Sequence, residues 1–288
     1  LGSIFEHSAA KPTKRSNCFN SKPIASRWVL TWKIINGKLD VKARLVIKGF
    51  LDPQLNEILT ASATASALSH RMLASYAVNH RLRIVSYDIS TAFLQGVAYK
   101  DLEGRGEGKR TVYFDPPDDA WGLLYDILPE QFSMLHEVRG TDEVTLEAVK
   151  GVYGLNDAPR LWRQRFHEWI MKQGFYQSRF DECCYYKKLF KGAKRCKLVV
   201  TIHVDDCEVV GSTSDVKQFQ KSLEAEFGKV KVQEHKFKHC GVEYQQSENL
   251  ITITHSQKDF VEAMQYYPVS KERGKQGKSP LNAKECTG

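Results

Sequence analysis

The sequence predicts a mixed fold of the α/β or α+β class, because strand and helix signals alternate along its 288 residues. Residues 82–88 and 198–204 are rich in strand-forming side chains. Residues 162–170 instead place large apolar side chains at helical spacing, which indicates a helix packed in a core. With 42% hydrophobic residues, the chain can bury such a core as one large domain or as two lobes.

Residues 28–35 and 39–46 predict a β-hairpin around Asn36-Gly37, a dipeptide that favours tight two-residue turns. This hairpin lies in a basic stretch. The first fifty residues hold 10 of the 42 Lys and Arg but 2 of the 34 Asp and Glu, so the formal excess of +8 lies there. Such a concentration is typical of a phosphate-binding surface, although any single lysine in it is equally explained as a solvated charge.

The doublet Asp205-Asp206 follows the apolar run 198–204 and interrupts a strand signal. Two carboxylates about 4 Å apart repel by roughly 4 kcal/mol at an effective dielectric of about 20. A sheet edge keeps such a pair when a cation binds it, and Mg²⁺ prefers oxygen ligands. A second doublet, Asp118-Asp119, follows prolines and is interpreted as a solvated loop.

A third carboxylate, Asp88, ends the predicted strand 82–88. Ser90 or Thr91 can then begin a helical turn that Gly96 ends. Two strands that end in carboxylates can bring three Asp side chains around one point, as two-metal phosphoryl transfer requires. Taken alone, Asp88 is better explained as an ordinary strand-terminal or capping residue, and it is the doublet that shifts the balance toward a metal site.

The C-terminal part predicts two further helices and a hairpin. Residues 214–227 place apolar side chains on one helical face, and residues 257–266 predict another helix. Residues 236–244 and 250–254 predict the two arms of a hairpin. Residues 268–288 are polar and basic, which predicts a loose tail.

Histidine, cysteine and apolar residues indicate whether the chain has a second metal site, which redox compartment suits it and whether it spans a membrane. His235, His239 and Cys240 could bind a metal, but they straddle a predicted strand start, so surface or core roles are the preferred interpretation. Seven cysteines without a framework spacing favour a reducing compartment. The sequence contains no run of 18 apolar residues, so it predicts no membrane span.

Several segments together resemble the reverse transcriptase of copia-type LTR retrotransposons, part of a Pol polyprotein. Each segment alone is modest support, but all occur in the family's order between about residues 26 and 281. They are residues 27–29, 42–50, 88–96, 152–162, 174–175, 204–206 and 240–244.

The resemblance implies an RNA-directed DNA polymerase, a nucleotidyltransferase that adds dNTPs to a primer 3′-end. It places Asp88, Asp205 and Asp206 as catalytic ligands of two Mg²⁺ ions, for which Mn²⁺ can substitute. The implied partners are an RNA template, a DNA primer or RNA/DNA hybrid, and dNTPs. The implied location is intracellular and cytoplasmic, including virus-like particles.

The resemblance also implies four substrate-binding residues. Lys33 and Arg44 in the hairpin would grip the triphosphate. Phe93 would select deoxynucleotides by colliding with a 2′-hydroxyl. Without the resemblance, core packing between helix and sheet would be the better explanation of Phe93, and both roles can hold together. In the loop 154–160, Arg160 is the candidate beside the nascent base pair.

The resemblance narrows the fold class to α+β, as a right-hand polymerase with fingers, a ferredoxin-like palm and a partial thumb. The reverse transcriptase region spans 26–267. The implied parts are a basic flank at 1–25, fingers at 26–82 and part of 97–165, palm at 83–96 and 166–245, thumb or connection at 246–267, and the tail 268–288. Because the chain starts with Leu1, we expect a piece of a longer polyprotein.

The chain departs from the family pattern at His203, where the family has Tyr, and at Asp157, where it typically has Gln. A carboxylate at residue 157 would repel an incoming triphosphate unless it were turned away or ion-paired. Residues 99–135 resemble an insertion and predict a mobile loop.

Two other functional classes fit parts of the sequence. A catalytically inactive, nucleic-acid-binding remnant of such an element would need only the basic N-terminal stretch. A nucleotidyl cyclase, another palm enzyme with a carboxylate doublet, is disfavoured by the hairpin and by residues 153–155.

Overall fold

The computed structural model describes residues 1–18, 22–35, 37–130 and 143–264, together with Arg273 and Lys275. Its helices are α1 (Gly2–Glu6), α2 (Ala67–His80), α3 (Tyr99–Glu103), α4 (Ala120–Ile127), α5 (Ala158–Lys172), α6 (Thr213–Phe227) and α7 (Lys258–Ala263). Its strands are β1 (Ala10–Lys14), β2 (Ile24–Ile35), β3 (Lys38–Ile47), β4 (Arg83–Ile89), β5 (Val112–Asp115), β6 (Val144–Ala148), β7 (Tyr176–Gln177), β8 (Cys184–Lys188), β9 (Cys196–His203), β10 (Asp206–Gly211), β11 (Val230–Glu234), β12 (Lys236–His239), β13 (Val242–Gln246) and β14 (Ile253–Ser256). The mixed α and β content confirms the predicted class. No described helix is long and apolar enough to cross a membrane.

An antiparallel six-stranded sheet carries the predicted carboxylates, in the order β11-β4-β10-β9-β8-β7. Along the chain, β4, α5, β9, β10, α6 and β11 follow one another as β-α-β-β-α-β, with other elements inserted between β4 and α5 and between α5 and β9. On one face, Tyr87 and Cys207 join a core with side chains of α5 and α6. On the other, Ile84 and Val210 pack with α2 and the small sheet β12-β13-β14.

The two helices that cover the sheet match their sequence patterns. In α5, the apolar stripe of Trp162, Phe166, Trp169 and Ile170 is buried, which confirms the prediction of a core helix. Helix α6 begins at its cap Ser212, whose hydroxyl accepts a hydrogen bond from the Asp215 amide at 3.2 Å. Its buried face is the predicted one.

A second sheet, in the order β1-β6-β5-β2-β3, contains the predicted hairpin. Strands β2 and β3 pair antiparallel from Ser26↔Ile47 to Ile35↔Lys38. This register confirms the hairpin, while Asn36 of the turn lies outside the described residues. Successive side chains point to opposite faces of a strand, so residues two apart in β2 or β3 lie on the same face of the hairpin.

The stretch 1–25, expected as a basic flank, is joined to this sheet, because β1 pairs with β6 and the side chains of Ile4 and Ala9 are buried in the core. The expectation of a mobile loop at residues 99–135 is wrong. The described part of residues 99–135 is not a loop throughout, because it forms α3, β5 and α4, and β5 lies in the middle of the sheet. Residues 131–135 lie outside the described part of the chain.

The C-terminal hairpin also differs from the prediction. Residues 236–244 form two strands rather than one arm, because Cys240 (φ 48°) and Gly241 (φ 78°) make a tight turn between β12 and β13. Strand β14 then completes a three-stranded sheet. The predicted helix 257–266 is present as α7, and residues 265–266 and the tail 268–288 lie outside the described part, except Arg273 and Lys275.

Candidate active site

The structure brings the three predicted carboxylates to one end of the six-stranded sheet. Asp206, at the start of β10, pairs with Asp88 on one side and with His203 on the other. Val204, with φ 58°, and Asp205 form the tight turn between β9 and β10. The Ile89 amide donates to the Asp205 carbonyl at 2.9 Å, which ties this turn to the end of β4.

The turn is also held from the helical side of the sheet. The indole N–H of Trp162 donates to the Val204 carbonyl at 2.6 Å, although the rest of the ring is core. The sequence pattern predicts the burial of Trp162 but not this hydrogen bond, which depends on where α5 crosses the sheet. Trp162 is therefore a positioning residue for the carboxylate turn.

The surroundings of the doublet disfavour the ionised form of its own carboxylates. Burial, followed by the charges of Asp205 and Asp88, raises the pKa of Asp206 to about 6. Burial and the Asp88 charge also raise the pKa of Asp205, against the opposing effect of Arg44. Each ionised carboxylate thus makes ionisation of its neighbour harder, and a bound cation would remove that penalty.

The three carboxylates are close, but they do not form a tight cage. Among the described residues, groups of three His, Cys, Asp or Glu ligand atoms within 4.8 Å of one another occur only in a separate histidine cluster. The donor set at the doublet consists of hard carboxylate oxygens, which suit Mg²⁺ ions that keep some of their water and share substrate oxygens. The residues present therefore fit a divalent ion of this kind.

A cavity of about 300 Å³ lies between the carboxylates and the hairpin. Its walls include Asp88 and Asp205 on one side and Lys33, Lys42 and Arg44 on the other. Cations thus face carboxylates across a space that opens to solvent. The cationic side of the cavity can bind the phosphates of a substrate whose reacting end lies at the carboxylates.

The sequence prediction included Lys33 and Arg44 but missed Lys42. Burial and then the charges of Arg44 and Lys33 lower the pKa of Lys42, while Asp88 opposes this. The missed signal was the strand alternation, because residues two apart in a strand lie on the same face.

Phe93 lies beside this cavity and not among its lining residues. It is half-buried in a short 3₁₀ turn, Ala92–Gln95, that ends at Gly96 as the sequence predicts. Its ring packs edge-to-face on Tyr153, which does line the cavity, with ring centres 5.9 Å apart. The structure thus gives Phe93 the rigid packing that both the core role and the selective role require.

Arg160 lies elsewhere. Its guanidinium donates to Glu107 at 2.8 Å, and it lines a different cavity of about 360 Å³. The structure therefore does not bring Arg160 together with Asp88 and Asp205 in one cavity.

The departure at Asp157 is explained by its surroundings. Its side chain is buried, and one oxygen accepts from Arg110 Nε at 3.0 Å while the other accepts from the Tyr99 hydroxyl at 3.4 Å. Arg110 also donates to Asp52. The carboxylate is turned inward and ion-paired, so it does not point into the cavity of the carboxylate doublet.

The loop before α5 holds the hairpin in place. The Ile47 amide donates to the Tyr153 carbonyl at 2.8 Å, and Gly154 has φ +93°. A Cβ on Gly154 would lie 2.0 Å from the Ile47 carbonyl oxygen, so only glycine allows this approach. Sequence reasoning singled out this loop but not the contact that makes Gly154 necessary.

Residues 134–267 match a family model described as reverse transcriptase (RNA-dependent DNA polymerase). This segment is similar to reverse transcriptases, the class of protein that the carboxylate site and its fold suggest.

The chain is also similar to retrovirus-related Pol polyproteins of plant transposons, which confirms the resemblance to copia-type reverse transcriptases. It is 28% identical over 196 residues to that of transposon TNT 1-94 of Nicotiana tabacum, covering 66% of this chain and 12% of the relative. It is 27% identical over 219 residues to that of transposon RE2 of Arabidopsis thaliana, covering 75% and 13%. The chain thus spans only a small part of the length of these relatives.

Among solved structures, the chain is similar to telomerase from Candida albicans in complex with a TWJ fragment of telomeric RNA. That match has a TM-score of 0.44 and 12% sequence identity, and it covers 88% of this chain and 50% of that chain.

Proposed function

We propose that this chain is an RNA-directed DNA polymerase that adds dNTPs to a primer 3′-end. The observation that carries the proposal is the cavity in which Asp88 and Asp205 face Lys33, Lys42 and Arg44. The cations would bind the triphosphate, and the carboxylates would lie at its reacting end. The match of residues 134–267 to the reverse transcriptase family model supports the same assignment.

Asp88, Asp205 and Asp206 would hold the Mg²⁺ ions, or Mn²⁺ in their place. When bound, these ions supply activation of the attacking hydroxyl and neutralise charge on the leaving pyrophosphate. The chain's own contribution is to fix the carboxylates through the pairing of β4 with β10 and the Trp162 hydrogen bond. The raised pKa of Asp206 supports a site that gains stability from a cation.

The proposed division follows a right hand. The β-α-β-β-α-β unit with strand order β11-β4-β10-β9 would be the ferredoxin-like palm. The β2–β3 hairpin would belong to the fingers, within the proposed region 26–82 and part of 97–165. The sheet β12-β13-β14 would adjoin the primer, and residues 246–267 would begin the thumb or connection.

The proposed partners are an RNA template, a DNA primer or RNA/DNA hybrid, and dNTPs. The basic N-terminal stretch supports phosphate binding, and the hairpin offers exposed aromatic surface at Trp32. Phe93 would exclude nucleotides that carry a 2′-hydroxyl. Arg160 would contact the nucleic acid outside the carboxylate cavity, near the template strand. The proposed place of action is the cytoplasm, within virus-like particles.

The test is primer extension on poly(rA)/oligo(dT) with Mg²⁺ or Mn²⁺ at low salt. We expect extension by the wild type, loss of it in Asp205→Asn, and retention in the control Asp118→Asn, since Asp118 lies in the other doublet and is exposed. A folded wild type that binds the duplex but extends no primer on RNA or DNA would contradict the proposal and favour a non-catalytic binding protein. Formation of a cyclic nucleotide without primer would favour a cyclase.

A further inference from the structure

A second cluster of chemically active side chains lies on the same sheet, apart from the carboxylate doublet. His70 of α2, Glu208 of β10 and His239 of β12 are 7%, 0% and 1% exposed. One ligand atom from each lies within 4.8 Å of the others. Three ionisable side chains from distant parts of the chain thus converge in a place almost free of solvent.

The cluster does not satisfy its own hydrogen-bonding groups. His70 Nδ1 lies 2.6 Å from Glu208 Oε2, which accounts for one atom of each side chain. Buried His70 Nε2, Glu208 Oε1 and both ring nitrogens of His239 have no hydrogen-bond partner among the described residues. Leaving a buried polar group unpaired costs about 1–3 kcal/mol, so four such atoms together need an explanation.

Two more donors border the cluster. His203 and Cys240 form, with His70, another group whose ligand atoms lie within 4.8 Å of one another. The imidazole centre of His203 is 6.4 Å from that of His70 and 6.3 Å from that of His239. All these side chains except Glu208 also line a cavity of about 460 Å³, through which an ion could enter.

We propose that His70, Glu208 and His239 bind a transition-metal ion, with Zn²⁺ as the best match to their chemistry. Imidazole nitrogens with one carboxylate oxygen are a common three-ligand set for Zn²⁺, whereas Mg²⁺ prefers oxygen ligands alone. His203 and Cys240 border the remaining coordination position. The site is distinct from the carboxylate doublet in both residues and ligand chemistry.

The bound ion would connect three elements near the proposed catalytic turn. Glu208 lies two residues after Asp206 on β10, and His203 ends β9 on the other side of the turn. His239 adjoins the tight turn at Cys240. A metal here would fix α2 and the β12–β13 hairpin to the strand that carries the doublet, so its role would be to position these elements.

The test measures metal binding directly. The full chain would be stripped with a chelator, and Zn²⁺ and Co²⁺ would be titrated back while metal content and visible Co²⁺ absorption are recorded. We expect one ion per chain and a Co²⁺ spectrum of a four-coordinate site. Since loss of an outer-shell partner already weakens metal binding by about 10–100-fold, His239→Ala and Glu208→Gln are expected to lose at least about 100-fold in affinity.

His80→Ala is the matched control, because His80 is at the opposite end of α2 and outside the cluster. It is expected to bind metal like the wild type. Equal metal affinity of the wild type and His239→Ala would overturn the proposal. A wild type that shows no Co²⁺ absorption would also overturn it. The cluster would then be a buried His–Glu hydrogen-bonded pair without a metal. If the variants fail to fold, the wild-type stoichiometry and spectrum still decide. These readouts do not depend on polymerase activity.

Discussion

At the scale of single residues, Asp157 shows how burial changes the meaning of a departure from the family pattern. The sequence suggests that Gln at this position would improve substrate binding. The structure instead places the carboxylate in a buried ion pair with Arg110. Removing one member of a buried pair leaves an uncompensated charge, which costs about 3–5 kcal/mol.

We therefore expect Asp157→Gln to destabilise the fold by about 3 kcal/mol, at the low end of this range because Arg110 keeps Asp52. Urea unfolding followed by circular dichroism measures the change, with Asp118→Asn as the exposed control. A variant as stable as the wild type, with higher polymerase activity, would show that the family's Gln is preferred here.

Asp206 allows a prediction about pH. Its pKa in the folded chain, raised to about 6 by burial and by Asp205 and Asp88, exceeds its unfolded value of about 3.9. The folded state therefore holds the proton more tightly. The associated stability is fully present below about pH 3.9 and is lost as the pH rises through about 6.

Because neutral Asn mimics the protonated acid, Asp206→Asn is expected to stabilise the metal-free chain by about 1 kcal/mol at pH 8, after allowance for solvent screening. At pH 5 the gain should be much smaller. Thermal unfolding with chelator at both pH values measures the difference. An equal gain at both would assign the effect to something other than ionisation of Asp206.

At the scale of elements, the β2–β3 hairpin depends on the loop before α5. Gly154 has φ +93°, and a Cβ there would meet the Ile47 carbonyl oxygen at 2.0 Å. Gly192 has nearly the same φ, +89°, but a Cβ there meets nothing within 4 Å. Substitution of Gly192 therefore measures the cost of backbone strain alone, and substitution of Gly154 adds the cost of the steric clash with the Ile47 carbonyl.

Gly192→Ala is expected to cost about 1–2 kcal/mol, the strain of a left-handed residue alone. Gly154→Ala should cost clearly more and raise the KM for dNTPs, because the loop can no longer hold the strand that carries Arg44. Chemical denaturation and steady-state extension kinetics test both. Equal costs at the two positions would mean that the loop moves aside freely.

At the scale of the whole molecule, the separation of charge predicts salt-dependent binding of nucleic acid. The formal excess of +8 lies in the first fifty residues, and Lys33, Lys42 and Arg44 face one cavity. If about three cations of this stretch outside the cavity contact phosphates of the duplex, affinity for poly(rA)/oligo(dT) should fall about 20- to 40-fold between 50 and 200 mM salt.

Lys38→Ala, at an exposed position of the hairpin outside the cavity lining, is expected to reduce the slope of log affinity against log salt by about one. Lys42→Ala, whose side chain lines the cavity proposed for the triphosphate, is the control and should leave this slope unchanged. Fluorescence anisotropy of labelled primer-template without dNTP measures both slopes. The same slope in Lys38→Ala and wild type would place the bound phosphates elsewhere.

The sequence by itself determined the elements whose signals are local. The hairpin, the end of β4 next to Asp88, the end of β9 just before the doublet, and the buried faces of α5 and α6 follow from alternation, helical spacing and turn residues. These patterns place the apolar side chains on one face of a helix or strand, and burial of that face stabilises the predicted element.

Only the tertiary structure decided which distant side chains meet. The inward turn of Asp157, the place of β1 and β5 in the second sheet, and the meeting of His70 with Glu208, 138 positions apart, depend on long-range pairing that no local pattern encodes. The physical reason is that periodicity fixes the direction of a side chain within its element. Its partner and its electrostatic surroundings are set by how elements pack.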